Sequence, residues 1–259
     1  MSAPHDLRVE RDGDVEILTL ARPEARNALT LRTYAELEAA VRACEARCLV
    51  VTGEDPAFCS GDDVKQLLTG DGAPAGGAGT RRPRLTPAAA ALLETDVPVI
   101  AAVNGAAVGW GMELALLADV RVASERARFG ELFVLRGLCC DVAGLARLAG
   151  LVGRERAAEL LFTGEIVDAE TALALGLVSR VVPHEKLLPE ALQLAQRIAA
   201  NPPLAVRRLK AGLREALDPD WASLGRWVSS SLAELFGTED HREGVRSFLE
   251  KRPPRYRGR

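Results

Sequence analysis

Two short apolar runs, Cys48 to Thr52 and Val97 to Val103, are each followed by a glycine-containing turn and the start of a helix. Runs of this length, rich in Val and Ile and bounded by Gly, Pro or Asn, read as strands buried on both faces. The turns are FCSGDDVK (Phe58 to Lys65) and NGAAVGWGMELAL (Asn104 to Leu116). A strand that recurs with an intervening helix predicts an α/β fold. The helix ahead of the first run is predicted from Thr30, an N-cap candidate, through Leu31, Tyr34, Leu37, Val41 and Cys44, to an end near Arg47. Its apolar positions recur at three- and four-residue steps. An opening hairpin is predicted from Leu7 and Val9 on one side of Asp12-Gly13 and Val15 to Leu20 on the other.

With 259 residues, 48% of them apolar and 27% charged, the chain has the composition of a soluble globular protein with one large domain or a domain plus appendage. A net charge of −3 lacks the basic excess of a general nucleic-acid binder. No charged-then-apolar leader and no long apolar run is present, so the expectation is a soluble cytoplasmic protein with no membrane partner. The five cysteines are expected to be free thiols. Residues 70 to 87, full of Gly and Pro, are expected to form a mobile loop that could serve as a lid, and the basic end KRPPRYRGR a solvated tail. From Ala143 onwards the pattern turns helical, with helices predicted over Arg154 to Phe162, Asp168 to Leu175, His184 to Ala200, Pro203 to Leu217, Trp221 to Phe236 and Thr238 to Lys251.

Helix starts leave N–H groups without partners and carry partial positive charge. Two such turns facing each other can stabilise an oxyanion, although glycines also serve tight turns and close packing alone. Glu113 lies one helical turn beyond Trp110, inside the apolar stretch Ala106 to Leu117. A carboxyl there is costly unless used or paired, for instance with Arg121. Asp141 reads either as a functional acid or as the N-cap of a helix from Val142.

The motifs RPEARNAL, AFCSGDDVK, PVIAAVNGAAVGWGMELALLADVRVAS and EDHREGVRSFLEKRPPRYRG fall in the order and spacing of the enoyl-CoA hydratase/isomerase (crotonase) superfamily, which the chain resembles over essentially its whole length. The resemblance implies a spiral of ββα units forming two nearly perpendicular sheets over residues 1–195, with a helical region over 196–259 that builds homotrimers, commonly paired into hexamers. The substrates would be acyl-CoA thioesters, with no cofactor beyond the coenzyme A carried by the substrate and no metal. Backbone N–H groups of Asp62 and Trp110 would form the oxyanion hole, and the neighbourhood of Arg26, Ala28, Ser60, Asp62, Asp63, Val64 and Lys65 would receive the CoA moiety.

Glu113 matches one of the two glutamates with which hydratases of this family handle water. The second falls where this chain has Phe133, which can neither give nor take a proton. Asp141 lies where some isomerases of the superfamily carry a proton-moving aspartate. Glu131 would share a strand face with Phe133 if the strand continued, and could replace the missing acid only if the local backbone shifted. The expected activity is enoyl-CoA hydration with Glu113 and Asp141 as the catalytic groups and Phe133 in the pocket. Double-bond isomerisation is the alternative, and an inactive acyl-CoA-binding homologue is a third.

Overall fold

The computed structural model describes residues 5–63 and 85–259. A hairpin of β1 (Leu7–Asp12) and β2 (Val15–Leu20) opens the chain. Thr30 then caps α1 (Leu31–Ala43) in a reciprocal capping box with Thr33, and the helix stops short of the expected Arg47. The spiral follows as strand pairs with one member in each of two sheets: β3 (Cys48–Gly53) with β4 (Ala57–Cys59), β5 (Val99–Val103) with β6 (Ala106–Val108), and β7 (Val120–Ser124) with β8 (Arg128–Gly130). With β9 (Val167–Asp168) and β10 (Arg180–Val182), the six-stranded sheet runs β1-β2-β3-β5-β7-β10 and the four-stranded sheet β4-β6-β8-β9. All neighbours are parallel except β1 with β2 and β8 with β9.

The strand period of two divides the large sheet cleanly. Val15, Ile17, Cys48, Val50, Ile100 and Ala102 face outward to Leu187, Ala191, Ala195 and Ala199 of one helix, whereas Leu18, Leu20, Leu49, Val51, Val99, Ala101 and Val103 face the main core. That covering helix, Leu187–Ala199, runs unbroken through the 195/196 boundary, so the sheet's cover extends past the division drawn on the sequence. The other helices are α2 (Pro87–Glu94), α3 (Trp110–Leu117), α4 (Val142–Val152), α5 (Arg154–Thr163) and α6 (Ala169–Ala174), with α7 the cover. After it come α8 (Pro203–Leu217), α9 (Trp221–Phe236) and α10 (Glu239–Leu249).

Two expectations are corrected here. The loop expected over 70 to 87 ends sooner, because Thr86 accepts a hydrogen bond from Ala89 N–H and Pro87 sits at a helix start, where its missing N–H costs nothing; residues 70–84 of that loop lie outside the described residues. The basic end is exposed to solvent as expected, but it is not a free tail: residues 252–259 fold back onto α10, held by Glu243 and Asp240. All five cysteines are free thiols, and no helix among the described residues is long and apolar enough to cross a membrane.

Candidate active site

Every residue of α3 is buried, as befits a helix apolar nearly all round. It begins at Gly109, whose φ of +55° is open to glycine at little cost. Gly61 stands against this turn: a Cβ on it would meet Val108 O at 2.9 Å and Trp110 N at 3.2 Å. The turn before Asp62 and the turn before Trp110 are therefore in contact. Leu29 and Asp63 use their own backbone to join the chain on either side of Asp62, with Leu29 N–H donating to Gly61 O and Asp63 N–H to Leu29 O. The N–H groups of Asp62 and Trp110 donate to no acceptor among the described residues.

Side chains link the same two turns. Tyr34 donates its hydroxyl to Asp62 Oδ1 at 2.7 Å, its ring meets the Trp110 ring edge-on at 4.8 Å, and Trp110 Nε1 donates to Asp141 Oδ2 at 3.2 Å. Burial, and then the Asp62 charge, push the Tyr34 hydroxyl well above its ordinary range. Burial also raises Asp62, although the Tyr34 hydroxyl opposes this.

Below Trp110 three carboxyls converge. Glu113 is 1% exposed, and its partner is not Arg121, which donates instead to the carbonyls of Leu177, Ala118 and Ala115. Glu113 accepts hydrogen bonds from the N–H groups of Ala143 (2.9 Å) and Gly144 (3.1 Å), at the positive end of α4. Asp141 caps that helix, taking Val142 N–H on Oδ1 at 2.8 Å while Oδ2 takes the indole. Glu131 is also 1% exposed, and neither of its oxygens has a hydrogen-bond partner among the described residues. A Cβ on Gly144 would lie 2.7 Å from Glu113 Oε1 and 3.0 Å from Glu131 Oε1, so glycine there leaves room for both acids.

The expectation that Glu131 points with Phe133 is overturned. Strand β8 ends at Gly130, and Glu131, with φ −90° and ψ 84°, starts the 3₁₀ turn Leu132–Arg136. The two-residue alternation stops at the strand end, so Glu131 turns inward to Glu113 while Phe133 packs half-buried against the core. Gly130 O accepts from Gly109 N–H at 2.9 Å, which ties the chain just before Glu131 to the turn just before Trp110.

Burial raises the pKa of all three acids; the neighbouring carboxylates push Glu113 up further, and Asp141 does so to Glu131. Among the described residues the opposing donors are unequally shared, two N–H groups for Glu113, one N–H and the indole for Asp141, and none for Glu131. Donors favour the charged form, so Glu113 and Asp141 feel a pull against the effect of burial that Glu131 lacks among the described residues.

Of the expected CoA-contacting residues, Ala28 is buried and Arg26 is exposed with φ +52°. Ser60 N–H donates to Arg26 O, and Asp63 pairs with Arg22 at 3.2 Å. Val64 and Lys65 lie outside the described residues. Sequence reasoning passed over Asn27, buried at φ +56°, whose side chain donates to Glu54 O and Ala57 O and accepts from Arg22 N–H. An asparagine, a residue that tolerates the left-handed region, shortly after Arg22-Pro23 was the available signal. Tyr34, taken only as part of a helix stripe, also reaches the site.

A family model described as "Enoyl-CoA hydratase/isomerase" matches residues 10–259. The chain is 38% identical to the 2,3-dehydroadipyl-CoA hydratase of Escherichia coli K12, covering 98% of this chain and 99% of that one. It is 36% identical to the crotonyl-CoA hydratase of Syntrophomonas wolfei, covering 96% and 97%. Among solved structures, an enoyl-CoA hydratase/isomerase from Pseudoalteromonas atlantica superposes with a TM-score of 0.87 at 30% identity, covering 97% of this chain and all of that one. A carnitinyl-CoA hydratase from Mycobacterium avium gives 0.80 at 35% identity, covering 99% and 100%. The chain belongs to the enoyl-CoA hydratase/isomerase family, and its two-sheet spiral with C-terminal helices is the crotonase fold.

Proposed function

We propose that the protein is an enoyl-CoA hydratase whose proton chemistry is carried by Glu113 and Glu131. The observation that carries this is the buried pair itself: Glu113 rests on two helix-terminal N–H groups, and Glu131 faces it across Gly144 with no hydrogen-bond partner among the described residues. Two carboxyls whose surroundings push them apart divide into a base and an acid. Glu113, ionised, takes a proton from water as its oxygen bonds to the β-carbon of the enoyl thioester. The electrons move to the thioester oxygen, where the N–H groups of Asp62 and Trp110 stabilise the enolate. Glu131, neutral, gives its proton to the α-carbon, and the product is a 3-hydroxyacyl-CoA. Proton exchange from Glu113 to Glu131 restores the starting state.

The CoA moiety is received near Arg26, Ala28, Ser60, Asp62, Asp63, Val64 and Lys65, and no cofactor is needed beyond it. Trp110 and Phe133 limit the acyl pocket. The chain works in the cytoplasm as a homotrimer or hexamer. Supporting assembly, α8 buries Lys210 while Leu204, Leu209, Leu213 and Leu217 are exposed, an apolar stripe turned away from its own chain. Light scattering that returns the 27.7 kDa monomer at micromolar concentration overturns the assembly. The activity is tested by product analysis with short, long, aromatic and branched enoyl-CoAs; binding without turnover on all of them overturns it in favour of an acyl-CoA-binding homologue.

Double-bond isomerisation is the second reading, favoured by the burial of Asp141 to 8% exposure beside the other two acids. One group that removes and returns a proton suffices there, and Asp141 is that group.

A further inference from the structure

Glu131 presents an unusual positioning problem. A side chain that makes hydrogen bonds is oriented by them, but neither Glu131 oxygen has a partner among the described residues. Its place is therefore set by the backbone on either side. On the N-terminal side, Gly130 is bonded to Gly109. On the C-terminal side the 3₁₀ turn Leu132–Arg136 follows, and this turn contacts the last elements of the chain.

Helix α10 lies directly on the turn. A Cβ on Gly244 would come within 2.8 Å of Arg136 Cα, and one on Gly137 within 2.9 Å of His241 N, so two glycines permit the close approach. His241, 7% exposed, donates from Nδ1 to Arg136 O at 2.7 Å, and the Phe236 ring packs edge-on against it at 4.9 Å. Beyond α10 the chain folds back. Arg252 forks onto Glu243, Arg255 N–H donates to Glu243, and the N–H groups of Arg257 and Gly258 donate to Asp240. The carbonyl of Arg259 accepts from the free N–H groups of Glu239 and Asp240 at the start of α10. This clasp delivers the Tyr256 hydroxyl to Leu135 O at 2.8 Å. Two successive carbonyls of the turn, Leu135 and Arg136, are thus held by the C-terminal segment.

We infer that Tyr256 and His241 are positioning residues for Glu131, holding the turn that aims its carboxyl at Glu113 and the substrate's α-carbon. The inference rests on Glu131 being the acid of the proposed reaction. Displacements on the order of 1 Å at a reacting group cost up to about 100-fold in rate without any loss of substrate contact. Tyr256→Phe removes only the hydroxyl. His241→Ala removes the Nδ1 donor, and His241→Asn restores an N–H donor near the same place.

The expected result is a fall in kcat of about tenfold for Tyr256→Phe and more for His241→Ala, KM within about twofold, and partial recovery in His241→Asn. Carbon-13 NMR of the glutamate carboxyls, with the Glu131 signal assigned by its loss in Glu131→Gln, reads the same displacement without turnover and is expected to shift in both variants. Unchanged kcat together with an unmoved Glu131 signal in Tyr256→Phe and His241→Ala overturns the inference. A loss of kcat in His241→Ala that His241→Asn does not recover, with the Glu131 signal unmoved, assigns His241 to general stability and likewise overturns it. If Glu131→Gln itself retains full activity, the assignment of Glu131 as acid fails, and the NMR shift alone then decides whether the clasp positions this carboxyl.

Discussion

The acids under Trp110 and the acids at the start of α10 use the same chemical group in opposite ways. Glu113, Glu131 and Asp141 are buried within one pocket and share four donor groups, so burial raises each of them. Glu243 lies at the surface with donors in excess, and the Arg252 guanidinium, followed by the Arg255 N–H, brings it down to about 2. Proton chemistry near neutral pH needs a carboxyl poised to change its state, whereas a clasp needs one that stays charged.

The linkage signs follow. A carboxyl raised in the folded state binds its proton more tightly there than in the unfolded chain, so stability from the site acids is greatest at low pH and falls as pH rises through their raised pKa values. Glu243 contributes above its unfolded pKa of about 4.3, and that contribution is lost as pH falls towards about 2.

The largest effect that sharpens this contrast is Glu131→Gln. Removing the proton donor is expected to lower kcat for hydration by about 100-fold or more. Because the amide carries no charge to bury, the melting temperature is expected to hold or rise, and its decline between pH 5 and pH 8 to become shallower. A fall in melting temperature with full activity would place Glu131 among structural residues. Next is Gly144→Ala, whose methyl enters the space between Glu113 and Glu131. It is expected to cost about 1–3 kcal/mol in denaturant unfolding together with most of the activity.

Asp141→Asn separates the two readings of the reaction. The amide oxygen still caps α4, so hydration with Glu113 and Glu131 as the pair is expected to fall less than about tenfold, whereas a loss on the order of 100-fold in isomerisation of a 3-enoyl-CoA would favour the isomerase. The smallest effect is that of Glu243→Gln. Its melting temperature is expected to lie below the parent's at pH 7, with the gap closing as pH falls towards about 2. A gap that stays constant with pH would show that the clasp does not depend on this charge.

The period-two and period-3.6 patterns carried the architecture. The limits of α8 (Pro203–Leu217) and α9 (Trp221–Phe236) match those expected, because Pro and Gly at their ends and amphipathic spacing act locally. Asp141 as the cap of a helix from Val142 was equally open to local reading. Motif order was enough to place Asp62, Trp110 and Glu113 near one another, since each follows a short buried strand. The partner of Glu113 was not accessible in that way. Whether Glu131 or Phe133 faces inward depends on where β8 stops, and it stops at Gly130 because the chain there meets β6, β9 and the Gly109 turn, all remote in sequence. The fate of the basic end was likewise decided by Glu243 and Asp240 on a preceding helix, not by its own composition. Periodicity within one segment encodes that segment's inward face, but the backbone turn that carries a side chain from one face to another is set by contacts between segments, and only tertiary structure supplies those.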